Sequence, residues 1–289
     1  MKTLQKLLGD TSLENFLDKH FTRLPFSRPH GADEFRHLLN WETVKSIIAE
    51  DKSVLRIVKD GKMVSDYVKL SFDEVKIRQI EGSTLLVRFA ERSDSRLREI
   101  AEDFARSFHT EVDIQLYCTP ENHNAFGWHY DVEEVFILQC QGSKHYTIRP
   151  NTIHPNPLLK SIPKDQGYER ESSKTAIQVT LEEGDWLYIP SGWWHRAETR
   201  KESMHISIGL MPRSALDLIE AFPEFLAQDV FWRTRMPIHN DFASEEEEIV
   251  FYQEAIEKLG MNLTKQFSNE AFIKDFLKRK KNRALTRKD

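Results

Sequence analysis

Cysteine is almost absent: Cys118 and Cys140 are the only two in 289 residues. That excludes a disulfide framework and a CxxC metal site, and free thiols suit a reducing cytoplasm. Glycine is scarce too. No two of the 11 glycines lie two, four or five residues apart, so the dinucleotide G-x-G-x-x-G, the G-x-S-x-G nucleophile elbow and the G-x-x-x-x-G-K phosphate loop are all missing. No apolar run is long enough to span a membrane, and the opening MKTLQKLLGD has no signal-peptide core. Nor is there a cationic excess. Lys+Arg total 41 against 46 Asp+Glu, a net charge of −5, which argues against a DNA-coating protein. What is present is 39% hydrophobic and 30% charged residues, the balance of a globular chain rather than a disordered one.

The first third reads as largely helical. Thr11 and Glu14 have capping-box spacing, followed by Leu13, Phe16, Leu17 and Phe21 at helical intervals. Asn40 can cap a helix carrying Val44, Ile47 and Ile48. Val54–Val58, Asp60-Gly61 and Met63–Val64 read as strand, turn and strand, and Asp94–Phe108 as an amphipathic helix. From Glu111 the period drops to two. Strands are predicted over Val112–Cys118, Glu134–Gln141, His145–Arg149, Ala176–Leu181, Trp186–Ile189 and Met204–Leu210, a barrel or sandwich pattern. After Pro212 helices return: Ser214–Phe222, Pro223–Trp232, and one opened by a Ser244/Glu247 box and stopped at Gly260. The tail Lys274–Asp289 carries eight basic and two acidic residues, which suits a solvated helix end.

The sharpest local pattern is Trp128-His129-Tyr130-Asp131. On a strand, residues two apart share a face, so His129 and Asp131 offer an imidazole and a carboxylate to one ion. His195 follows the strand end Tyr188-Ile189-Pro190 and is the best third ligand, on a strand-end turn. Two His and one carboxylate make the facial triad of non-haem Fe(II) oxygenases, with positions left for a chelating cosubstrate and O₂. Read singly, each residue has an ordinary alternative as a surface or packed side chain; their combination carries the argument. Lys144 lies on the strand expected after a hairpin at Gln141-Gly142-Ser143. There it could meet the 5-carboxylate of 2-oxoglutarate, or be a solvated edge lysine. Gln115 and Tyr117 share one face of their strand, as do Ser203, His205 and Ser207 of the last strand, facing either water or a polar cavity. His145 and His154 read as surface residues near turns.

Two long stretches carry a resemblance. LYCTPENHNAFGWHYDVEEVFILQCQGSKHYTIRPN and LEEGDWLYIPSGWWHRAETRKESMHISIGL resemble the JmjC-type, cupin-fold 2-oxoglutarate oxygenases, and within them the ribosomal oxygenase branch. FLDKHFTRLPFSRPHGADEFRHLLNWETV is similar to that branch's leading segment. The resemblance implies a mainly β fold with flanking α: a double-stranded β-helix core over residues 1–212, and a helical, dimerising region with a basic tail over 213–289. It implies Fe(II) held by His129, Asp131 and His195, a salt bridge from Lys144 to 2-oxoglutarate, and Tyr117 near the cosubstrate, with Gln115, Ser203 and His205 more loosely placed. It also implies hydroxylation of a side chain in a protein or peptide, a ribosomal protein among the candidates. Two departures accompany it. About 75 residues follow Met211, too few for dimerisation helices plus the branch's winged helix, and Gln115 stands where Asn is common.

Other readings stay open at this stage. One is a non-catalytic cupin that binds a ligand or partner. A second is a metal cupin taking its carboxylate from Glu133 or Glu134. A third is a 2-oxoglutarate oxygenase of a small molecule or tRNA. A homodimer is expected from the excess of large apolar residues beyond the barrel, among them Leu216, Ile219, Phe222, Val230, Ile249 and Ile256. The competing expectation folds these helices back onto the barrel.

Overall fold

Within residues 1–211, the helices come from the chain before residue 110 and the strands mainly from residues 112 to 210. The computed structural model describes residues 1–65, 69–152, 173–211, 214–237 and 242–285, so His154 lies outside the described residues. Two compact units cover residues 1–212 and 213–283. In the first, the helices are α1 (Lys2–Leu8), α2 (Leu13–Lys19), α3 (Trp41–Glu50), α4 (Phe72–Ile80) and α5 (Ser95–Phe108). Between them run β1 (Phe26–Arg28), β2 (Val54–Lys59), β3 (Lys62–Ser65) and β4 (Thr84–Arg88). Then follow β5 (Val112–Thr119), β6 (Glu134–Gln141), β7 (Lys144–Arg149), β8 (Ile177–Leu181), β9 (Trp186–Ile189), β10 (Trp194–Glu198) and β11 (Ser203–Leu210).

The strands form two antiparallel sheets. The larger runs β1-β9-β6-β11-β5-β4-β2-β3 and the smaller runs β10-β7-β8. Alternation along the central strands assigns each face of the larger sheet a different neighbour. Ile114, Leu116, Phe136, Leu138, Trp186, Tyr188, Ile206 and Ile208 pack with Leu4, Phe16, Val44 and Phe104 of the helices. Val135, Ile137, Leu187 and Ile189 on the opposite face pack with Tyr146, Ile148 and Leu181 of the smaller sheet. Both faces of β11 are therefore buried, polar side chains included. Helices, larger sheet and smaller sheet thus form the three layers of a double-stranded β-helix with flanking helices.

Several local signals were overruled. Ser12 rather than Thr11 caps α2, accepting from the Asn15 N–H; Asn40 caps α3 as its spacing predicts. Gln141-Gly142-Ser143 is no hairpin. β6 belongs to the larger sheet and β7 to the smaller, so this turn carries the chain between sheets. Gly142 makes that crossing with φ +63°, and a Cβ there would meet the Glu202 carbonyl oxygen at 1.9 Å.

In the second unit, α6 (Ala215–Leu226) runs through Pro223 instead of restarting there. Phe222 and Phe225, three residues apart across the proline, both pack on Phe272, which offsets the one helical hydrogen bond a proline removes. α7 (Glu245–Phe267) passes through Gly260, where an added side chain would touch nothing within 4 Å. A mid-helix glycine costs only about 1 kcal/mol, too little to stop a helix of this length. Ser244 caps α7, but the Glu247 carboxylate reaches back to the Ala243 N–H rather than to Ser244. α8 (Glu270–Leu285) follows, and no strand occurs beyond β11 among the described residues.

Phe16 ties the helical layer to the larger sheet. It is fully buried, with its ring within 6.1 Å of those of Phe26, Phe136, Trp186 and Tyr188. Phe16→Ala is expected to destabilise the protein by about 3–5 kcal/mol, measured by urea denaturation.

Candidate metal centre

An irregular segment is fastened to the start of β10 and the turn before it, and the three ligand candidates sit on these pieces. His129 and His195 exchange both backbone hydrogen bonds, at 3.1 and 2.8 Å. The Gly192 N–H donates to the Asp131 carbonyl at 2.8 Å, and the Ser191 hydroxyl to the Val132 carbonyl at 2.9 Å. Trp194 packs edge-on against Tyr130. This geometry amends the sequence expectation twice. His129 and Asp131 lie on no regular strand, only on the one-residue bridge at His129. His195 sits within β10, not on a turn. β10 escaped notice because Trp-His-Arg-Ala-Glu shows no apolar alternation.

The ligand atoms of His129, Asp131 and His195 all lie within 4.8 Å of one another. His129 Nδ1 is hydrogen-bonded to the Gly127 carbonyl at 2.9 Å, and His195 Nδ1 to the Trp193 carbonyl at 3.1 Å. A carbonyl only accepts, so Nδ1 carries the proton in each ring and Nε2 keeps its lone pair. His195 Nε2 is 3.5 Å from Asp131 Oδ2. Burial first, and the neighbouring His129 second, lower the His195 pKa to about 4, which keeps its imidazole neutral. Two imidazoles whose Nδ1 is turned to a backbone carbonyl, leaving Nε2 available as donor, and one carboxylate fit a divalent ion with open positions. Glu133 and Glu134 do not join them. Glu134 accepts from the Tyr188 hydroxyl, and Glu133 lies against Gly209.

Beside the triad is a cavity between the two sheets, lined in part by Tyr117, Lys144, Tyr146, His205 and Ser207. Lys144 is 2% exposed. Its one hydrogen bond is to the Thr119 hydroxyl, at 3.2 Å, and no carboxylate pairs with it among the described residues. Burial lowers its pKa to about 7. A buried cation without a counter-charge is costly, and an anion in this cavity would offset that cost. His205 stacks flat on Tyr117 at 4.7 Å. Burial, and then Lys144, hold its imidazole well below the usual histidine pKa.

The other candidates are placed differently. Gln115 is outside the cavity lining, bonded to Tyr117 and Asp113. Ser203 is also outside it, accepting from Gln139 Nε2 at 2.8 Å. His145 is bonded to the Thr180 hydroxyl, away from the cavity. Sequence reasoning passed over Tyr146 and Thr119. Strand parity with Lys144 could have marked Tyr146, since residues two apart share a face.

Residues 84–218 match the JmjC domain family. Among curated proteins, the chain is 25% identical over 229 residues to the bifunctional lysine-specific demethylase and histidyl-hydroxylase NO66 of Drosophila persimilis, covering 72% of this chain and 31% of that protein. It is 32% identical over 246 residues to the Drosophila grimshawi protein of the same name, covering 78% and 33%. The chain thus spans about a third of the length of these relatives. Among solved structures it is similar to the Escherichia coli ribosomal oxygenase YcfD in complex with cobalt and 2-oxoglutarate. There the TM-score is 0.62 at 19% identity, over 93% of this chain and 70% of that one.

The Lys144 environment carries a pH signature. The group's pKa is about 7 in the folded protein against 10.5 ordinarily. Between those values the unfolded chain holds a proton that the folded one has released. The resulting penalty on the ligand-free fold is therefore full below about pH 7 and gone above about pH 10.5. Lys144→Met is expected to be more stable than the unsubstituted protein at pH 7. The difference should narrow by about 1.4 kcal/mol per pH unit above that, followed by urea unfolding from pH 6 to 9.

Proposed function

We propose, from the match of residues 84–218 to the JmjC domain family, that the chain is an Fe(II)- and 2-oxoglutarate-dependent oxygenase that hydroxylates a side chain of a protein or peptide. The observation that carries this reading is the pairing of a His129–Asp131–His195 cluster with a buried lysine that has no carboxylate partner among the described residues, in the same cavity. Each half has many uses; together they ask for a metal chelator that bears a second, distant carboxylate. The similarity to a structure that holds cobalt and 2-oxoglutarate supports the same pair of ligands here.

When bound, the iron supplies the oxidative chemistry, in which O₂ and 2-oxoglutarate yield succinate, CO₂ and the hydroxylated product. The chain's own part is positional. His129 and His195 present Nε2 from rings oriented by backbone carbonyls, and Asp131 supplies the anionic donor. Lys144 meets the distal carboxylate and regains its proton on doing so, while stacked Tyr117 and His205 wall the cavity. Relatives named as a histidyl-hydroxylase and a ribosomal oxygenase support a protein substrate, with a ribosomal protein as the first to test. The buried free thiols of Cys118 and Cys140 support a reducing, cytoplasmic setting. No helix among the described residues is long and apolar enough to cross a membrane.

We also assign catalysis to residues 1–212, and homodimerisation to residues 213–289 with their basic tail. Phe222, Phe225, Phe267 and Phe272 cluster among themselves. Yet Leu216, Ile219, Val230, Val250, Ile256 and Met261 are each at least half exposed, and exposed apolar side chains of this kind support an interaction surface.

Turnover of 2-oxoglutarate to succinate tests the activity. It should require Fe(II) and be lost in His129→Ala, Asp131→Ala and His195→Ala, since two donors do not hold the ion facially. Lys144→Ala is expected to raise the 2-oxoglutarate KM at least 100-fold, because truncating one partner of a buried ion pair costs about 3–5 kcal/mol; an unchanged KM would show that another residue holds the distal carboxylate. Assembly is checked separately by light scattering. The full chain should have twice the chain mass and Val250→Glu/Ile256→Glu the mass of a monomer, whereas a monomeric full chain would sink the dimer.

A further inference from the structure

In Trp128-His129-Tyr130-Asp131 the two ligand candidates alternate with two aromatic residues, and the smaller sheet gives the aromatic pair a task of its own. His129 and His195 form an antiparallel bridge and exchange both backbone hydrogen bonds. Their side chains therefore share a face, and the neighbours of each point the other way. The shared face is the cavity, which His129, Asp131, His195 and Ala197 all line. The opposite face holds Trp128 and Tyr130 with Trp194 and Arg196 of β10, and with Arg149 of β7, the register partner of Trp194. Tyr130 is buried there, edge-on to Trp194 at 5.1 Å. Trp128 is half-buried and lies against two guanidinium groups. Arg149 Cζ is 4.1 Å from the centre of its ring and Arg196 Cζ 5.1 Å.

Two guanidinium groups brought to one spot repel each other. An indole between strands offsets this, because its π-cloud attracts a cation more strongly than any other side-chain ring. Arg196 Nη2 is 3.6 Å from Glu198 Oε1, a loose pairing that leaves the guanidinium against the indole. The effect reaches the ligand through the backbone. His129 Nδ1 donates to the Gly127 carbonyl at 2.9 Å. That carbonyl and the Trp128 N–H belong to one planar peptide unit. Whatever fixes Trp128 thus fixes the acceptor that orients the His129 ring. The bridge at His129 places its own backbone on β10 but leaves the tilt of the preceding peptide open. Arginines from two neighbouring strands supply that second point of attachment.

Resting on the metal-centre reading above, we infer that Trp128 is a positioning residue of that centre. Held by Arg149 and Arg196 on the face turned away from the cavity, it sets the Gly127 carbonyl, and through it the direction in which His129 presents Nε2. Neither Trp128 nor the two arginines touches the metal.

Calorimetric titration of the full-length protein with Co(II), without 2-oxoglutarate and without turnover, tests the assignment. Trp128→Ala is expected to weaken Co(II) binding about 10- to 100-fold, the range for losing a group that orients a metal-ligating histidine. Trp128→Phe keeps an aromatic face and should stay within about threefold of the unsubstituted protein. Arg149→Met/Arg196→Met keeps both aliphatic stems, removes both cations and is expected to weaken binding about fivefold or more. This second variant decides the matter if urea unfolding shows that Trp128→Ala does not fold. A residue that served stability alone would lower the unfolding midpoint and leave the Co(II) affinity of the folded protein unchanged, and that result overturns the proposal. So would Trp128→Phe binding as weakly as Trp128→Ala, or unchanged affinity in the double arginine variant. If the unsubstituted protein binds no Co(II), the metal-centre reading fails and this inference fails with it. Tight binding that Trp128→Ala leaves untouched overturns the inference alone.

Discussion

The reciprocal backbone hydrogen bonds between His129 and His195 bring together two chain segments more than 60 residues apart. Everything proposed for this protein's chemistry depends on that join. His129 and Asp131 lie on an irregular segment, and His195 lies near the start of the short strand β10. They gain a fixed geometry because the backbones hold each other, through Gly192 to Asp131 and Ser191 to Val132 as well. The side chains are then free of any structural duty except to present donors. Tying each Nδ1 to a carbonyl of its own loop completes the arrangement, since it orients the ring and selects the tautomer together.

A second constraint is the unequal treatment of charge around the cavity. Asp113 is fully buried and accepts from the partly exposed Arg88 and from the Phe89 N–H. Lys144 is buried with only a neutral partner, Thr119, among the described residues. The cost of desolvating Lys144 falls at the point where a ligand would relieve it.

Much of this was legible in the chain. Period-two alternation located the central strands β5, β6, β9 and β11, because each has one face on the helices and the other on the smaller sheet or the cavity. Asn40, Asp94 and Ser244 marked helix starts through their own hydrogen bonds. Elements lacking a two-sided environment left no such trace. β4 is apolar on both faces, α4 has a weak stripe, and β10 mixes Trp, His, Arg and Glu. Local breakers also misled where packing on a neighbouring helix, as at Pro223, or plain open space, as at Gly260, removed their usual consequence.

By itself, then, the sequence determined which chemistry was on offer: H-x-D with a distant histidine, a lysine after a glycine turn, and polar faces on β5 and β11. These follow from residue type and strand parity, which are local. Only the tertiary structure decided how that chemistry was shared out. It turned an apparent hairpin at Gly142 into a crossing between sheets, which delivers Lys144 and Tyr146 to the cavity. It withdrew Ser203 to Gln139 and Gln115 to Asp113, although both stand on the predicted polar faces. Parity names the face of a strand but not which buried groups across it will compete for the same hydrogen bond, and that competition exists only once distant segments are packed.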